Sequence, residues 1–280
     1  MKTVKHLLFP TDFSEAAQDA FLSALHLAAR LKAKLTVLHV IYPEYEPMDL
    51  PVLSAKATEE KLEVAKNVMD NLVKSAQKLA DLDEQAMPEV EKHFEIGVPG
   101  STIVSAAERC GCDMILMSTR KKHTSLEQWL GTVTAEVVQK APCPVMVLPE
   151  GRFLEQLKIM VYATALKESD TYRIWETAQL LQAYQAIMHV VHVRTEAEKR
   201  EISMEDLEAF FSENPPALQM KFHVLESKDV VSALNAFAEE YEVDLLVMSS
   251  VRRSFWERLF YESRSRAMVL QAKVPILVLR

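Results

Sequence analysis

The chain has 280 residues, 49% hydrophobic and 26% charged, with a net charge of −8, a composition ordinary for globular proteins and a length that gives two domains a core each. The acidic balance argues against nucleic acid as the main partner, because that binding is driven by clustered Lys and Arg. No apolar run reaches the roughly 18 residues of a membrane span and residues 1–9 lack a signal-peptide design, so the expectation is a cytoplasmic protein without membrane contact.

The elements follow in chain order. Leu7-Leu8-Phe9 reads as a buried strand, and an Asp/Ser start signal then opens a helix over residues 14–31 with Ala17, Phe21, Ala24 or Leu25, and Ala28 on one stripe. A second strand spans 35–40. Residues 41–52 carry Pro43, Pro47, Pro51, Tyr42 and Tyr45 and are expected to form an irregular connection beside the strand ends, with a lid as the alternative role. Leu62, Ala65, Met69, Leu72, Ala76 and Leu79 mark a long amphipathic helix whose stripe faces the core. Helices at 101–109 and 132–140 and strands at 114–117 and 145–148 complete the first half.

After Pro149-Glu150-Gly151-Arg152 the order repeats. Strands are expected at 157–161, 187–193, 222–225, 245–248 and 276–279. Helices are expected at 170–183 and 230–241, with a short one over 204–211 ended by Asn214-Pro215-Pro216. The two halves align without a gap at an offset of 131 from Met114–Ser118 to Pro144–Leu148, while Thr11/Thr164 and His39/His192 align at 153, so the first half is longer by 22 residues between its second and third strands. Alternating strands and helices give an α/β protein: two doubly wound five-stranded parallel sheets, cut into domains 1–149 and 150–280.

In such sheets ligands sit beyond the carboxyl ends of the strands. The segments there are Pro10-Thr11-Asp12, Val40-Ile41, Gly97-Val98-Pro99-Gly100 and Ser118-Thr119-Arg120-Lys121. Leu7-Leu8-Phe9-Pro10-Thr11-Asp12-Phe13-Ser14-Glu15, His39-Val40, Gly97-Val98-Pro99 and Ala141-Pro142-Cys143-Pro144-Val145-Met146-Val147-Leu148 resemble a universal stress protein domain along nearly the whole first half. The second half resembles it through Val190-Val191-His192-Val193 and Val274-Pro275-Ile276-Leu277-Val278, so the chain resembles the tandem type of this family.

The resemblance implies an adenine-nucleotide alpha hydrolase-like fold, a stress-response role through binding rather than turnover, and domains paired as a pseudo-two-fold dimer through 145–148 and 276–279. It leaves further homodimer formation and protein partners open. The reading is a non-catalytic binding and regulatory module with degenerate nucleotide sites; the alternative is an ATP-binding switch or slow ATPase using the first domain only, with Pro10, Thr11, Asp12, Val40, Met117, Ser118, Lys121, Gly131, Thr132 and Val133 as contacts to ATP or another adenine nucleotide and Asp12 meeting the adenine. ATP-binding members carry Gly-x-x-Gly, nine residues, then Gly-Ser or Gly-Thr, where bare backbone and a helix N-terminus receive phosphates. The first half reads Ser118-Thr119-Arg120-Lys121, then Gly131-Thr132; both leading glycines are gone, though Lys121 and Lys122 could attract phosphate directly. The second reads Ser249-Ser250-Val251-Arg252, then Glu262-Ser263, with Ala165 at the place of Asp12. Glu262 adds bulk and like charge, so no nucleotide is expected there.

No residue set is convincing for catalysis. His39 and His192 read as strand residues with one hydrogen bond each, in preference to acid/base groups. Asp12, Ser14 and a histidine lack the nucleophile-elbow sequence of a hydrolytic triad. Cys110, Cys112 and His123 lack zinc-ligand spacing, and the thiols read as buried or inert.

Overall fold

A computed structural model describes residues 4–43, 51–119, 132–195, 200–249 and 274–280. They divide into two compact units at Glu155/Gln156. The first contains β1 (His6–Pro10), α1 (Glu15–Leu31), β2 (Lys34–Ile41), α2 (Pro51–Leu79), β3 (Val90–Ile96), α3 (Pro99–Arg109), β4 (Met114–Thr119), α4 (Thr132–Lys140) and β5 (Val145–Pro149). The second contains β6 (Ile159–Thr164), α5 (Glu168–Leu181), a 3₁₀ turn at Gln182–Tyr184, β7 (Ile187–Arg194), α6 (Met204–Glu213), β8 (Gln219–Glu226), α7 (Val230–Glu240), β9 (Leu245–Ser249) and β10 (Ile276–Leu279).

Within the first unit the strand order is β3-β2-β1-β4-β5, and within the second it is β8-β7-β6-β9-β10. The pairings inside each unit are parallel. Order reverses at β1/β4 and at β6/β9. In the first unit α1 accordingly packs with α2, and α3 packs with α4. With helices on both sides, the central strand has no solvent face: Leu7, Leu8 and Phe9 are all 0% exposed.

Edge strands obey a different rule. β3 reads Val-Glu-Lys-His-Phe-Glu-Ile and β8 is largely alternating and half exposed, so both depart from the continuous apolar runs of the central strands. β8 runs beyond the expected 222–225 at both ends. Charge on these edges also discourages pairing with a foreign strand.

The start of α1 follows the expected signal. Ser14 is the N-cap, its side chain accepting from the Ala17 N–H at 3.3 Å. α2 departs from expectation. Ile41 closes β2, and Pro51 and Val52 already belong to the helix, so residues 41–52 are not irregular throughout. Proline suits a first helical turn because its missing N–H would have had no partner there.

The stripe on α2 also drifts. Ala65, Met69, Val73, Ala76 and Ala80 are buried, whereas Leu79 is 72% exposed, because a 3.6-residue turn carries the buried face past position 79. Residues after β5 pack back on the first unit. The Leu154 N–H donates to Ser23 Oγ at 3.2 Å and Arg30 donates to the Glu155 carbonyl at 3.3 Å, so the segment after Pro149 stays with that unit. In α5 the helix starts at Glu168, two residues before the expected Asp170, and yields to the 3₁₀ turn after Leu181.

Gly100 on α3 serves packing. A Cβ there would lie 3.2 Å from Glu136 Cβ on α4 and against its carboxylate, so the two helices approach through the bare backbone.

Met69→Ala should lower the stability of the first unit by about 2–5 kcal/mol, and Leu79→Ala by less than about 0.5 kcal/mol. Urea denaturation followed by circular dichroism measures both. Equal losses would place the stripe through Leu79 after all.

Candidate functional site

At the carboxyl edge of the first sheet, β1 lies between β2 and β4, so Pro10-Thr11-Asp12, Val40 and Met117-Ser118 come to neighbouring strand ends. Thr132 and Val133 open α4, the helix that follows β4. Lys121 and Gly131 lie outside the described residues, as do Lys122, His123, Arg252, Arg253, Glu262 and Ser263.

Three bonds shape the turn after β1. The Thr11 N–H donates to the Leu38 carbonyl at 2.8 Å, continuing the ladder with β2. The Thr11 hydroxyl accepts from the Phe13 N–H at 3.1 Å, holding Phe13 at φ +61°, where a bulky side chain is rare. The Thr11 carbonyl accepts from His39 Nδ1 at 2.9 Å. A carbonyl only accepts, so Nδ1 carries the proton. His39 also stacks on Phe13, ring centroids 4.3 Å apart. The histidine is thereby a strut of the turn, as its strand position implied.

Asp12 is exposed, and its Oδ1 accepts from the Ser14 N–H at 3.0 Å and the Ser14 hydroxyl at 2.6 Å. Its carboxylate therefore stands at the solvent side of the turn. Beside it, Phe13, His39, Val40, Tyr42, Val64 and Val68 line a cleft of about 620 Å³. Met117 is 5% exposed, and on β4 the buried Thr119 hydroxyl has no hydrogen-bond partner among the described residues. Gly97, in the segment after β3, donates its N–H to the Ile41 carbonyl at 3.0 Å.

The second unit rebuilds the same turn around a different carboxylate. Thr164 Oγ1 accepts from the Leu166 N–H at 3.0 Å, Leu166 has φ +53°, and His192 Nδ1 donates to the Thr164 carbonyl at 3.0 Å. Ala165 stands where Asp12 stood. Instead Asp170, 0% exposed on α5, accepts on Oδ2 from the Thr164 hydroxyl at 2.8 Å, the Ala165 N–H at 3.1 Å and the Lys167 N–H at 3.2 Å. Its first-half counterpart at the offset of 153 is Ala17, and Phe9 likewise becomes Tyr162. Tyr162 is also 0% exposed, and burial first, then the Asp170 charge, raise its phenol above the ordinary range. The carboxylate has moved from above the turn to beneath it.

Asp170, Tyr162 and Phe13 were missed as determinants from sequence. The available signal was a charged residue at the helical position that holds a buried alanine in the other half.

The cysteines lie elsewhere. Cys112 Sγ is 3.8 Å from both ring nitrogens of His6, and burial pushes its thiol up to about 12, so it stays protonated. Among the described residues no group of three or more His, Cys, Asp or Glu is placed to hold a metal, and no helix is long and apolar enough to cross a membrane.

The sequence pattern of the universal stress protein family matches residues 3–149 and again 157–280. The chain belongs to the universal stress protein family. Its two stress-protein domains are tandem copies, each an α/β unit with a parallel sheet. Universal stress protein MJ0577 of Methanocaldococcus jannaschii is 30% identical over 155 residues, which are 51% of this chain and 94% of that protein. Putative universal stress protein SAUSA300_1656 of Staphylococcus aureus is 29% identical over 173 residues, 60% of this chain and 98% of that one. A solved universal stress protein from Archaeoglobus fulgidus DSM 4304 shares the fold with TM-score 0.71 at 18% identity, covering 99% of this chain and 97% of its own.

The two placements of the carboxylate predict opposite sensitivities. Asp170→Ala should destabilise the second stress-protein domain by at least about 2 kcal/mol, because it strands buried donors, while Asp12→Ala should cost the first less than about 1 kcal/mol. Domain-resolved hydrogen exchange reads each, and an equal cost at both positions would sink the distinction.

Proposed function

We propose that this universal stress protein acts in stress response as a non-catalytic binding and regulatory module with degenerate nucleotide sites. Of the two sites the second has drifted further, so nucleotide binding, where retained at all, belongs to the first domain. The observation that carries this asymmetry is the pair of turns: Asp12 presents its carboxylate at the solvent edge, whereas Asp170 spends its own on the backbone beneath Ala165. Gly131 in the first half against Glu262 in the second supports the same division, while Ser118 and Lys121 in place of glycines make the first site degenerate as well. The Ser14 hydroxyl beside Asp12 is spent on capping α1, and the sequence there lacks a nucleophile elbow, which supports binding over turnover.

A second reading is an ATP-dependent switch or slow ATPase confined to the first domain. It is favoured by the open turn at Asp12 with Val40 beside the cleft, and by Gly131-Thr132 in sequence. The family resemblance alone supports pairing of the domains through their last strands, further self-association, protein partners and a cytoplasmic location, and these belong to the proposal.

Mass spectrometry of small molecules released from the purified, denatured chain separates the readings. Adenine nucleotide near one per chain would sink the reading with both sites degenerate and favour the switch or ATPase, and its absence in both carryover and titration would rule the second reading out. Calorimetric titration with ATP should then give one site, and Gly131→Glu, which copies the second domain, should remove it. Two sites per chain, or unchanged affinity in Gly131→Glu, would show the site to be misplaced.

A further inference from the structure

The second domain carries a ring cluster that the first lacks, toward the amino end of its sheet. His189 on β7 and His223 on β8 stack with centroids 4.9 Å and planes 3° apart. Phe237 of α7 meets their edges at 5.6 and 5.0 Å, and Tyr241, which caps that helix, meets them at 4.9 and 5.8 Å. Phe237 and Tyr241 stack on each other at 4.2 Å. These four rings fasten α7 to the strands. The first domain has Thr36, Lys92, Ala106 and Cys110 at the same register.

His189 is 1% exposed, and its Nδ1 and His223 Nε2 are buried with no hydrogen-bond partner among the described residues. A shared metal does not account for them. Imidazole lone pairs lie in the ring plane, and near-parallel stacked rings do not aim at one ion. Two neutral rings stack favourably here, but a second proton would set two cations face to face without solvent between them.

The surrounding charges are few, one cation and one anion. β8 contributes Lys221 beside His223, and the end of α7 contributes Glu240 and the Tyr241 hydroxyl. On β6 the residue opposite His189 is Val161, which carries no charge. Glu240 is exposed and acts on His223.

We propose that the His189–His223–Phe237–Tyr241 cluster is an acid-sensitive latch in the second domain, whose protonation releases α7 from its sheet. Burial first, then His223 and Lys221, push His189 down to about 4. Burial, then Lys221, lower His223, with Glu240 opposing. In an opened domain histidine titrates near its ordinary value of about 6.5, so the open form takes the proton first. The latch is therefore complete above about pH 6.5 and weakens as pH falls toward 4. For His189 the shift from 6.5 to about 4 corresponds to a drop on the order of a hundredfold in the closed-to-open ratio at pH 4.

His6 of the first domain is also lowered by burial, but its nitrogens lie 3.2 Å from the Cys110 carbonyl and 2.7 Å from Thr36 Oγ1, both within hydrogen-bonding reach. It provides an internal reference.

The test uses the full chain without ligand, so its outcome is independent of the nucleotide reading. Amide exchange, corrected for its intrinsic pH dependence, should show α7 losing protection on the order of a hundredfold between pH 7 and pH 4, more than α3. His189→Phe, which keeps a ring but cannot titrate, should abolish most of that loss while leaving protection at pH 7 intact. Protection of α7 that is independent of pH, or an equal loss in His189→Phe, would overturn the latch. Nuclear magnetic resonance titration of the unaltered chain reads the same point without a variant: His189 titrating near 4 supports it, and titration near 6.5 refutes it.

Discussion

A threonine at the carboxyl end of the first strand governs the ligand-facing edge of each domain. Its hydroxyl holds the next residue but one at positive φ, and its carbonyl holds a histidine from the adjacent strand. A parallel sheet buried on both faces leaves chain exits as the main freedom for chemistry. Thr11 and Thr164 direct that exit into the first helix, and His39 and His192 brace it. The shared geometry explains why the two domains remain comparable residue by residue despite their different sequences.

On that common turn, the position of one carboxylate separates the domains. Above the turn, Asp12 faces solvent and costs the fold little. Beneath it, Asp170 gathers a hydroxyl and two amides in a site without solvent, so the same group becomes structural. Tyr162 in place of Phe9 continues this polar inward turn. The second domain thus spends its polar groups on its own interior at both ends of the sheet, with Asp170 at one and the histidine stack at the other.

Central strands were legible because burial on both faces leaves continuous apolar runs such as Leu7-Leu8-Phe9 and Val145-Met146-Val147-Leu148. β3 was expected only by its place before Gly97, without bounds, because an edge strand carries Glu91, Lys92, His93 and Glu95 and loses that pattern. The start of α2 was hidden by Pro51, which reads as a breaker yet is tolerated in a first helical turn. Leu79 looked like core, and only the accumulated rotation of a 29-residue helix turned it to water. The site residues at strand ends were placed by topology and resemblance. Asp170 was visible only as a charge inside an apolar stripe, a sign that something buried must satisfy it.

By itself the sequence determined the repeat, the α/β order, the parallel sheets and the family, because these depend on local periodicity and on register between copies. Tertiary structure decided which carboxylate meets solvent, which histidines brace a turn and which stack on each other with a buried nitrogen left without a hydrogen bond among the described residues. Those outcomes depend on what lies across a strand or beneath a helix, where residues distant in sequence share one buried volume and burial sets their charge.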